Sequence, residues 1–358
     1  MKIGLLFAGQ GAQYPGMGKD LYDHIPVAKE VFDQAGEEIK SWSFEGTKEM
    51  LRQTQITQPC IYAVTMAAYA AFQLELTKLN QELSSQGKKI EVAAMAGFSL
   101  GEYAALTAAG VIDGIDKGLA IVRLRGNLMN EAGKDADGEN RGGMIAAFGD
   151  RQDILDVVEL AREDGILEGV NFNSGVQTVV AGDKQALERF SRRAKEASAH
   201  LKVIPLSVGS AFHSPMMEPA AEPLLQVLLD ADLKEPSVPV YSNSTGKPLL
   251  DSLEGIVSQS SLTAGLLSQD SRGAELSLSE KLAVFMAEQV RKSVYWQEVI
   301  QNMHADGLDY LVEIGPGDTL CGLVRKIDHN IKTTNIDSTE TLAAAMASLR
   351  EACAGSEE

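Results

Sequence analysis

The sequence predicts an α/β fold in which a parallel sheet forms a large domain and a smaller α/β unit is inserted into it. Three observations lead to this prediction. Short apolar runs alternate with helical segments along most of the chain, as in parallel sheets with crossover helices. One such run ends in a serine turn flanked by glycines and followed by a helix. A compact central stretch has the element order βαββαβ.

The composition limits which class the protein can belong to and which partners it can bind. The chain has 358 residues, of which 44% are hydrophobic and 23% charged, enough for a large globular domain and a smaller one. A net charge of −18 argues against nucleic acid or an anionic membrane as the main partner. Three scattered cysteines without a C-x-x-C pair argue against a disulfide framework or a zinc site and favour the cytoplasm. No apolar run suits a signal peptide or a membrane span.

Residues 3–7 are an apolar run that predicts a buried first strand, and a glycine-rich loop follows them. The loop fits neither phosphate-binding pattern, because Tyr14 replaces a fingerprint glycine and Asp20 replaces the P-loop Ser or Thr. It can still present backbone N–H groups, as the loop that supplies half of an oxyanion hole does in Ser hydrolase folds. An ordinary βα turn is an equally good interpretation.

Residues 57–59, Thr-Gln-Pro, predict the start of a helix with Pro59 in its first turn. The following residues, 61–72, are apolar nearly all round the predicted helix. A helix without a polar face is expected to be buried.

Residues 91–110 begin with a short run of small apolar residues that predicts a strand. They continue through Gly97-Phe98-Ser99-Leu100-Gly101 into an Ala-rich helix. Strand, G-x-S-x-G turn and helix in this order form a nucleophile elbow, in which Ser99 is exposed at the helix N-terminus. The glycines are needed because a Cβ at Gly97 or Gly101 would crowd the neighbouring strand and helix. The five-residue motif alone also occurs by chance.

The predicted helix over residues 114–132 carries two arginines on different faces. Arg123 aligns with partly polar positions, whereas Arg125 aligns with an apolar stripe that faces inward. Removing one member of a buried charge pair costs about 3–5 kcal/mol, so Arg125 requires a partner. An internal Asp or Glu is one candidate, and a substrate carboxylate held by both guanidinium nitrogens is the other.

The central stretch predicts a small ferredoxin-like domain, residues 135–205, inserted between the two parts of the large domain, residues 1–134 and 206–358. The predicted elements are a strand at 144–148, a helix at 151–162, strands at 169–173 and 177–181, a helix at 184–198 and a strand at 201–208.

Five histidines are candidates for the base that a serine nucleophile needs. Four of them have the polar surroundings of surface residues: His24, His200, His304 and His329. His213 alone lies in a loop of small residues after an apolar strand, where α/β folds place their sites. Elimination therefore favours His213, although a lone histidine is more often structural.

The remainder of the chain completes the large domain. Strands are predicted at 238–242 and 310–314, and helices at 281–291, 319–326 and from Ser338 onward. Residues 250–279 are rich in Ser, Leu and Gly without a firm period, which predicts a surface excursion.

Eight motifs in order resemble the malonyl-CoA:acyl carrier protein transacylase family over residues 3–326. The motifs are FAGQGAQYPGMG, TQP, GFSLGEYAAL, the RG of RLRGNLM, NFNSGVQTVVAG, SAFHSPMM, SVYW and EIGPG. Each is weak alone, and their order and spacing make the resemblance specific. It implies an α/β-hydrolase-like core with a ferredoxin-like lid.

The resemblance also implies the catalytic roles. Ser99 is expected to be the nucleophile and His213 its general base, without an acidic third member. Backbone carbonyls near Gln289 are expected to orient His213 instead. The N–H groups of Gln10 and Leu100 are expected to form the oxyanion hole, each worth about 3–4 kcal/mol.

The family further implies how the acyl group is selected. Arg125 is expected to bind the malonyl carboxylate, and Phe212 to crowd an α-methyl branch, which favours malonyl over methylmalonyl. Asn173 and Met129 are expected to line the pocket. No metal or cofactor is expected, since the coenzyme A thioester is itself a substrate.

Two residues depart from the family pattern, and other functions stay open. Phe98 replaces the usual histidine and Ala8 the usual proline. An acyl hydrolase or a transacylase of different acyl preference is the alternative, and Arg125 argues against the hydrolase. A non-catalytic docking module is the alternative from another class.

The expected partners are malonyl-CoA and an acidic acyl carrier protein, and a monomer is expected. The carrier is expected to dock on a basic face of the small domain, unless those side chains merely form a solvated surface. The basic face comprises Arg189, Arg192, Arg193, Lys195 and Lys202.

Overall fold

The computed structural model describes residues 1–197, 200–269 and 275–355, which form two sheets covered by helices. The described strands are β1 Lys2–Phe7, β2 Glu91–Gly97, β3 Gly142–Phe148, β4 Leu167–Ser174, β5 Gln177–Asp183, β6 Lys202–Pro205, β7 Val240–Tyr241, β8 Tyr310–Ile314 and β9 Lys332–Ile336. The described α-helices are α1 Lys19–His24, α2 Pro26–Ala35, α3 Glu37–Glu45, α4 Thr54–Ser84, α5 Leu100–Ala108, α6 Ile115–Ala132, α7 Arg151–Arg162, α8 Lys184–Ala197, α9 Glu218–Leu229, α10 Leu249–Gln259, α11 Ser261–Gln269, α12 Leu278–Glu288, α13 Trp296–Ala305, α14 Thr319–Ile327 and α15 Thr339–Ala354.

The large sheet is parallel and has the order β7-β2-β1-β8-β9. Phe7, the last residue of β1, pairs with Gly97 of β2 and Ile314 of β8, so these three strands end level with one another. Their interiors are buried, as expected when helices cover both faces of a sheet. The loops that follow the strands therefore meet at one edge, where parallel sheets place their sites.

The small sheet is antiparallel, with the order β4-β5-β3-β6. This is the ferredoxin-like arrangement, because the first and third strands of βαββαβ lie in the centre. Alternate residues point to opposite faces. Val180 packs among the residues of α7 and α8, whereas Val179 and Ala181 pack in the main core of the large domain. The predicted fold class, a parallel sheet with a separate antiparallel unit, is confirmed.

Three details of the sequence-based prediction are wrong. Helix α4 begins at Thr54, so Pro59 is its sixth residue and not part of its first turn. Tertiary hydrogen bonds from Thr54 to Gln10 and from Thr57 to Leu51 stabilise the extra turn. Strand β9 was not predicted, because its sequence is mostly polar and it lies at the sheet edge.

The third error is the excursion at residues 250–279. Its described part contains α10, α11 and the start of α12. Leu253 and Val257 of α10 recur at helical spacing and are buried in the main core, although the serines and glycines between them lower helix propensity. Residues 270–274 of the excursion lie outside the described residues, as does Ser198, the predicted last residue of α8.

Candidate active site

The predicted elbow lies between β2 and α5. Ser99 has φ 49° and ψ −101°, a backbone conformation that is sparsely populated for residues other than glycine. A Cβ on Gly97 would lie 2.0 Å from the carbonyl carbon of Gly101, and a Cβ on Gly101 would lie 2.1 Å from the Phe7 carbonyl oxygen. Both positions therefore require glycine for the strand, the turn and the helix to approach this closely.

The structure brings Ser99 and His213 together. Ser99 Oγ lies 2.7 Å from His213 Nε2, although 114 residues separate them in the sequence. The other ring nitrogen, Nδ1, lies 3.1 Å from the carbonyl oxygen of Gln289 and 3.0 Å from that of Lys292. Carbonyl oxygens only accept, so Nδ1 carries the hydrogen and Nε2 is free to accept the Ser99 proton.

His213 is buried and is held as the neutral imidazole. Burial and the positive charge of Arg125 lower the pKa of His213 to about 4. Among the described residues, no carboxylate is hydrogen-bonded to the ring. The pair is therefore a Ser–His dyad in its geometry, with two backbone carbonyls in the place that an acidic residue occupies in a triad. The other four histidines are more exposed than His213.

Arg125 is the most unusual charge of the site, because it is 1% exposed and has no ion pair among the described side chains. Its Nη1 donates to Gln58 Oε1 at 2.7 Å, and its Nη2 donates to Gln289 Oε1 at 2.9 Å and to Ser99 Oγ at 3.3 Å. The Tyr103 ring lies 5.1 Å from the guanidinium carbon. Burial lowers the pKa of Arg125 below its ordinary value. An internal carboxylate in direct contact is thus not the partner of Arg125.

Two backbone N–H groups beside Ser99 are available to a ligand. Gln10 follows Gly9, and a Cβ on Gly9 would lie 2.2 Å from the Phe98 carbonyl oxygen, so this loop packs directly on the elbow. Leu100 begins α5. Within the described ranges, neither the Gln10 nor the Leu100 N–H donates to a protein acceptor. The N–H of Ser99 itself is occupied by Asn243 Oδ1 at 2.7 Å.

Each of the remaining predicted pocket residues lies beside a residue described above. Phe212 precedes His213 and is buried. Met129 lies one turn after Arg125, where its Sδ is 3.6 Å from Gln58 Nε2. Asn173 of β4 lines a cavity of about 170 Å³ together with Gln10 and Phe98. The Oδ1 of Asn173 is buried without a hydrogen-bond partner among the described residues, so the cavity offers it to a ligand.

Three residues of the site were not predicted from the sequence as site residues: Gln58, Glu102 and Asn243. Gln58 belongs to the TQP motif, which indicated only a helix start. Asn243 follows the short strand β7, and its place at the carboxyl end of a parallel strand was the available signal. Glu102 lies three residues after Ser99 and is 1% exposed. A buried carboxylate in a helix gives no sequence signal by itself.

Other kinds of site are less well supported. Among residues 1–197, 200–269 and 275–355, no three His, Cys, Asp or Glu side chains are grouped as a metal site requires. None of the described helices combines the length and apolarity needed to cross a bilayer.

Comparison with known proteins places the chain among acyltransferases. A family model described as an acyl transferase domain matches residues 5–347. The malonyl CoA-acyl carrier protein transacylase of Bacillus subtilis is 35% identical over 356 residues, covering 98% of both chains. A polyketide biosynthesis malonyl CoA-acyl carrier protein transacylase of the same organism is 31% identical, covering 91% of this chain and 96% of that protein.

Solved structures give the same result. The crystal structure of the malonyl CoA-acyl carrier protein transacylase of Clostridium perfringens has a TM-score of 0.79 and 32% identity, with full coverage of both chains. A malonyl-transacylase in complex with its type II polyketide synthase acyl-carrier protein has a TM-score of 0.78 and 30% identity, covering 97% of this chain and 100% of that one. The chain belongs to the malonyl-CoA:acyl carrier protein transacylase family.

Proposed function

We propose that this chain transfers a malonyl group from malonyl-CoA to the phosphopantetheine thiol of an acyl carrier protein, through a malonyl ester on Ser99. The observation that carries the proposal is the contact of Ser99 Oγ with both His213 Nε2, at 2.7 Å, and Arg125 Nη2, at 3.3 Å. Relatives named for malonyl transfer and for polyketide biosynthesis support it. The product supplies extender units for fatty acid or polyketide synthesis.

In the first half-reaction, Ser99 Oγ attacks the thioester carbonyl while His213 Nε2 takes the hydroxyl proton. The carbonyl oxygen becomes an oxyanion, which the N–H groups of Gln10 and Leu100 stabilise. When the tetrahedral intermediate collapses, the C–S bond breaks and the protonated His213 gives its proton to the leaving sulfur of coenzyme A. The Gln289 and Lys292 carbonyls stabilise the imidazolium in between.

The second half-reaction reverses these steps with a different thiol. His213 takes the proton of the phosphopantetheine thiol, the sulfur attacks the malonyl ester, and Ser99 leaves with the proton returned by His213. Coenzyme A must depart before the carrier arm enters, so the kinetics are ping-pong.

Arg125 selects the acyl group by binding its free carboxylate. The guanidinium donates to neutral glutamine oxygens, so a carboxylate is a stronger partner for it. We assign Phe212 to the exclusion of an α-methyl branch, a discrimination of about 1–3 kcal/mol. Met129 and Asn173 are proposed to line the acyl and pantetheine path.

We propose further that the reaction needs no cofactor, because the chain supplies the nucleophile, the base and the oxyanion donors. We also propose that the chain divides into a large domain, residues 1–134 and 206–358, and a small domain, residues 135–205. We also propose a cytoplasmic location, because the three cysteines lie far apart in the sequence without a C-x-x-C pair.

The proposed carrier-docking face is narrower than the sequence suggested. Arg189 donates to the carbonyls of Ala161 and Arg162, and Arg193 pairs with Glu163, so these two are engaged within the domain. Arg192 and Lys195 are exposed and line a groove of about 700 Å³ beside β6. We propose that this groove receives the acidic carrier protein.

The test is intact-mass analysis after brief incubation with malonyl-CoA, acetyl-CoA or methylmalonyl-CoA, before and after a holo carrier protein is added. Transfer requires a malonyl adduct on Ser99 that moves to the carrier, and no adduct in Ser99→Ala. The assignment of Phe212 requires that little methylmalonyl adduct forms. Release of free acid at the rate of adduct loss would instead support the acyl hydrolase. Adduct formation by Ser99→Ala would contradict the catalytic assignment.

A further inference from the structure

A second charged side chain is buried beside the dyad, and the proposed mechanism does not use it. Glu102 lies on the first turn of α5 and is 1% exposed. Its carboxylate forms no ion pair among the described residues. Oε1 accepts from the backbone N–H of Asn243 at 2.9 Å, and Oε2 accepts from Gln289 Nε2 at 2.8 Å. A buried carboxylate with two amide donors from segments distant in the sequence is a candidate for fixing those segments in place.

Both partners of Glu102 continue to the reacting groups. The Asn243 side chain accepts from the Ser99 N–H at 2.7 Å and donates to the Gly97 carbonyl at 2.6 Å. The Gln289 side chain donates to the Ser99 carbonyl at 2.7 Å and accepts from Arg125 Nη2 at 2.9 Å. One carboxylate thus holds the backbone of Asn243 and the side chain of Gln289. The side chains of both residues bond to the backbone of Ser99, and that of Gln289 also bonds to the guanidinium.

The Glu102 carboxylate and the Ser99 carbonyl together fix which way the Gln289 amide faces. An ionised carboxylate only accepts hydrogen bonds, so it requires the NH₂ end of Gln289. The oxygen end is then directed at Arg125, which only donates. If residue 102 could donate, the Gln289 amide could reverse at the expense of its bond to the Ser99 carbonyl and turn its NH₂ group toward the guanidinium. Two donors would then face each other in a buried site, which is unfavourable.

We propose that Glu102 is a positioning residue for acyl-group selection: its carboxylate fixes the Gln289 amide so that Arg125 is held ready for the malonyl carboxylate. The inference rests on the proposed function, since it concerns the same site. Glu102 touches neither substrate nor the reacting atoms and acts through Gln289 and Asn243. Its loss should therefore weaken the selection of malonyl groups more than the acylation chemistry itself.

The test compares Ser99 loading by malonyl-CoA and acetyl-CoA in Glu102→Gln, in the full-length chain at pH 8. Burial raises the pKa of Glu102 to about 7, so its carboxyl is largely ionised in the wild-type protein at this pH. Glu288→Gln is the matched control. Glu288 is also 1% exposed, but its carboxylate bonds to Ser260 and Arg291 and not to the site. Melting temperatures verify that each variant is folded.

We expect the ratio of malonyl to acetyl loading rates to fall at least about tenfold in Glu102→Gln, a loss of roughly 1.4 kcal/mol, and to stay at the wild-type value in Glu288→Gln. An unchanged ratio in folded Glu102→Gln would overturn the inference, even if both rates fell together. If Glu102→Gln does not fold, Glu102→Asp replaces it, because its shorter side chain cannot reach both partners. A wild-type ratio in Glu102→Asp would then overturn the inference. Failure of the wild-type protein to load malonyl would refute the proposed function, and this inference with it.

Discussion

Arg125 Nη2 lies 3.3 Å from Ser99 Oγ, so the buried guanidinium contacts the proposed nucleophile directly. This distance is consistent with the proposed binding of the malonyl carboxylate by Arg125, because only one methylene group separates that carboxylate from the acyl carbonyl. A longer dicarboxylic acyl group would have to fold back on itself. The short distance between nucleophile and cation thus matches the size of the acyl group as well as its charge.

Arg125→Gln should lower malonyl loading by about 100-fold, because each hydrogen bond to a charged group contributes about 1.5–3 kcal/mol. Acetyl loading should be retained within about threefold, since acetyl has no carboxylate to bind. The measurement is the initial rate of Ser99 acylation with each thioester by intact mass. Arg123→Gln is the control, because Arg123 lies on the same helix but pairs with Glu38 at the surface. Persistence of malonyl loading in Arg125→Gln would show that another group binds the carboxylate.

Acylation should remain fast well below neutral pH. The base is neutral His213, whose pKa is lowered to about 4, so the rate should fall only as the pH drops toward that value and not near 6.5. Part of the lowering comes from the positive charge of Arg125, so Arg125→Gln should move the acidic limb of acetyl loading to higher pH. Rapid-quench measurement of acetyl loading across pH 4–8 gives the acidic limb of the wild-type protein and that of Arg125→Gln.

Stability must be followed alongside this pH profile. The unfolded chain takes up a proton at His213 near pH 6.5, whereas the folded chain does so only near pH 4, so stability due to the neutral ring is lost as the pH falls between these values. Circular dichroism at each pH separates unfolding from protonation. A wild-type limb centred near pH 6.5 with intact fold would contradict the lowered pKa.

Phe98→His should lower stability and leave the acyl preference unchanged. The Phe98 ring meets the Trp296 ring edge-on at 5.3 Å, and aromatic pairs of this kind contribute about 0.5–1.5 kcal/mol. We expect the melting temperature to fall by roughly 1–3 °C. Loading rates with malonyl-CoA and acetyl-CoA should stay within about threefold of wild type. A tenfold change in their ratio would instead make Phe98 a determinant of acyl preference.

Arg192→Glu should raise the KM for the carrier protein about three- to tenfold, because charges at the rim of an interface act mainly on the encounter between partners. High salt screens these charges and should reduce the difference in KM between the variant and the wild type. Single-turnover loading from malonyl-CoA should not change. Lys78→Glu is the control, since Lys78 is an exposed lysine of α4 that does not line the groove. An unchanged carrier KM in Arg192→Glu would place docking elsewhere.

The sequence was sufficient for the dyad because local patterns encode it. Ser99 is identified by two glycines that its turn requires, and His213 by elimination among five histidines. The strand before His213, β6, proves to be an edge strand of the antiparallel sheet. The surroundings of Arg125 were not predictable in the same way. Its inward face was evident, but its hydrogen-bond partners other than Ser99 are two uncharged side chains, Gln58 and Gln289, from helices distant in the sequence.

The same reason explains the other residues that were missed. Glu102 and Asn243 meet only because β2 and β7 are neighbours in the sheet, a pairing that single-sequence patterns do not specify. Gln289 was expected to contribute its backbone carbonyl, and its side chain proves to be hydrogen-bonded to Arg125, Ser99 and Glu102. The periodicity of hydrophobic residues predicts individual helices and strands. Hydrogen-bond networks between these elements depend on how the elements pack in the folded protein.

The positive φ angles of Ser99 and His213, 49° and 63°, have a consequence for experiments on folding. Neither residue adopts this backbone conformation readily in a free chain. Asn243 holds the Ser99 N–H and the Val290 carbonyl holds the His213 N–H, so the reactive serine exists only where distant segments have come together. A serine-directed phosphonate probe should therefore label only native molecules. During refolding, the labelled fraction should equal the fraction of chains that have completed their tertiary structure.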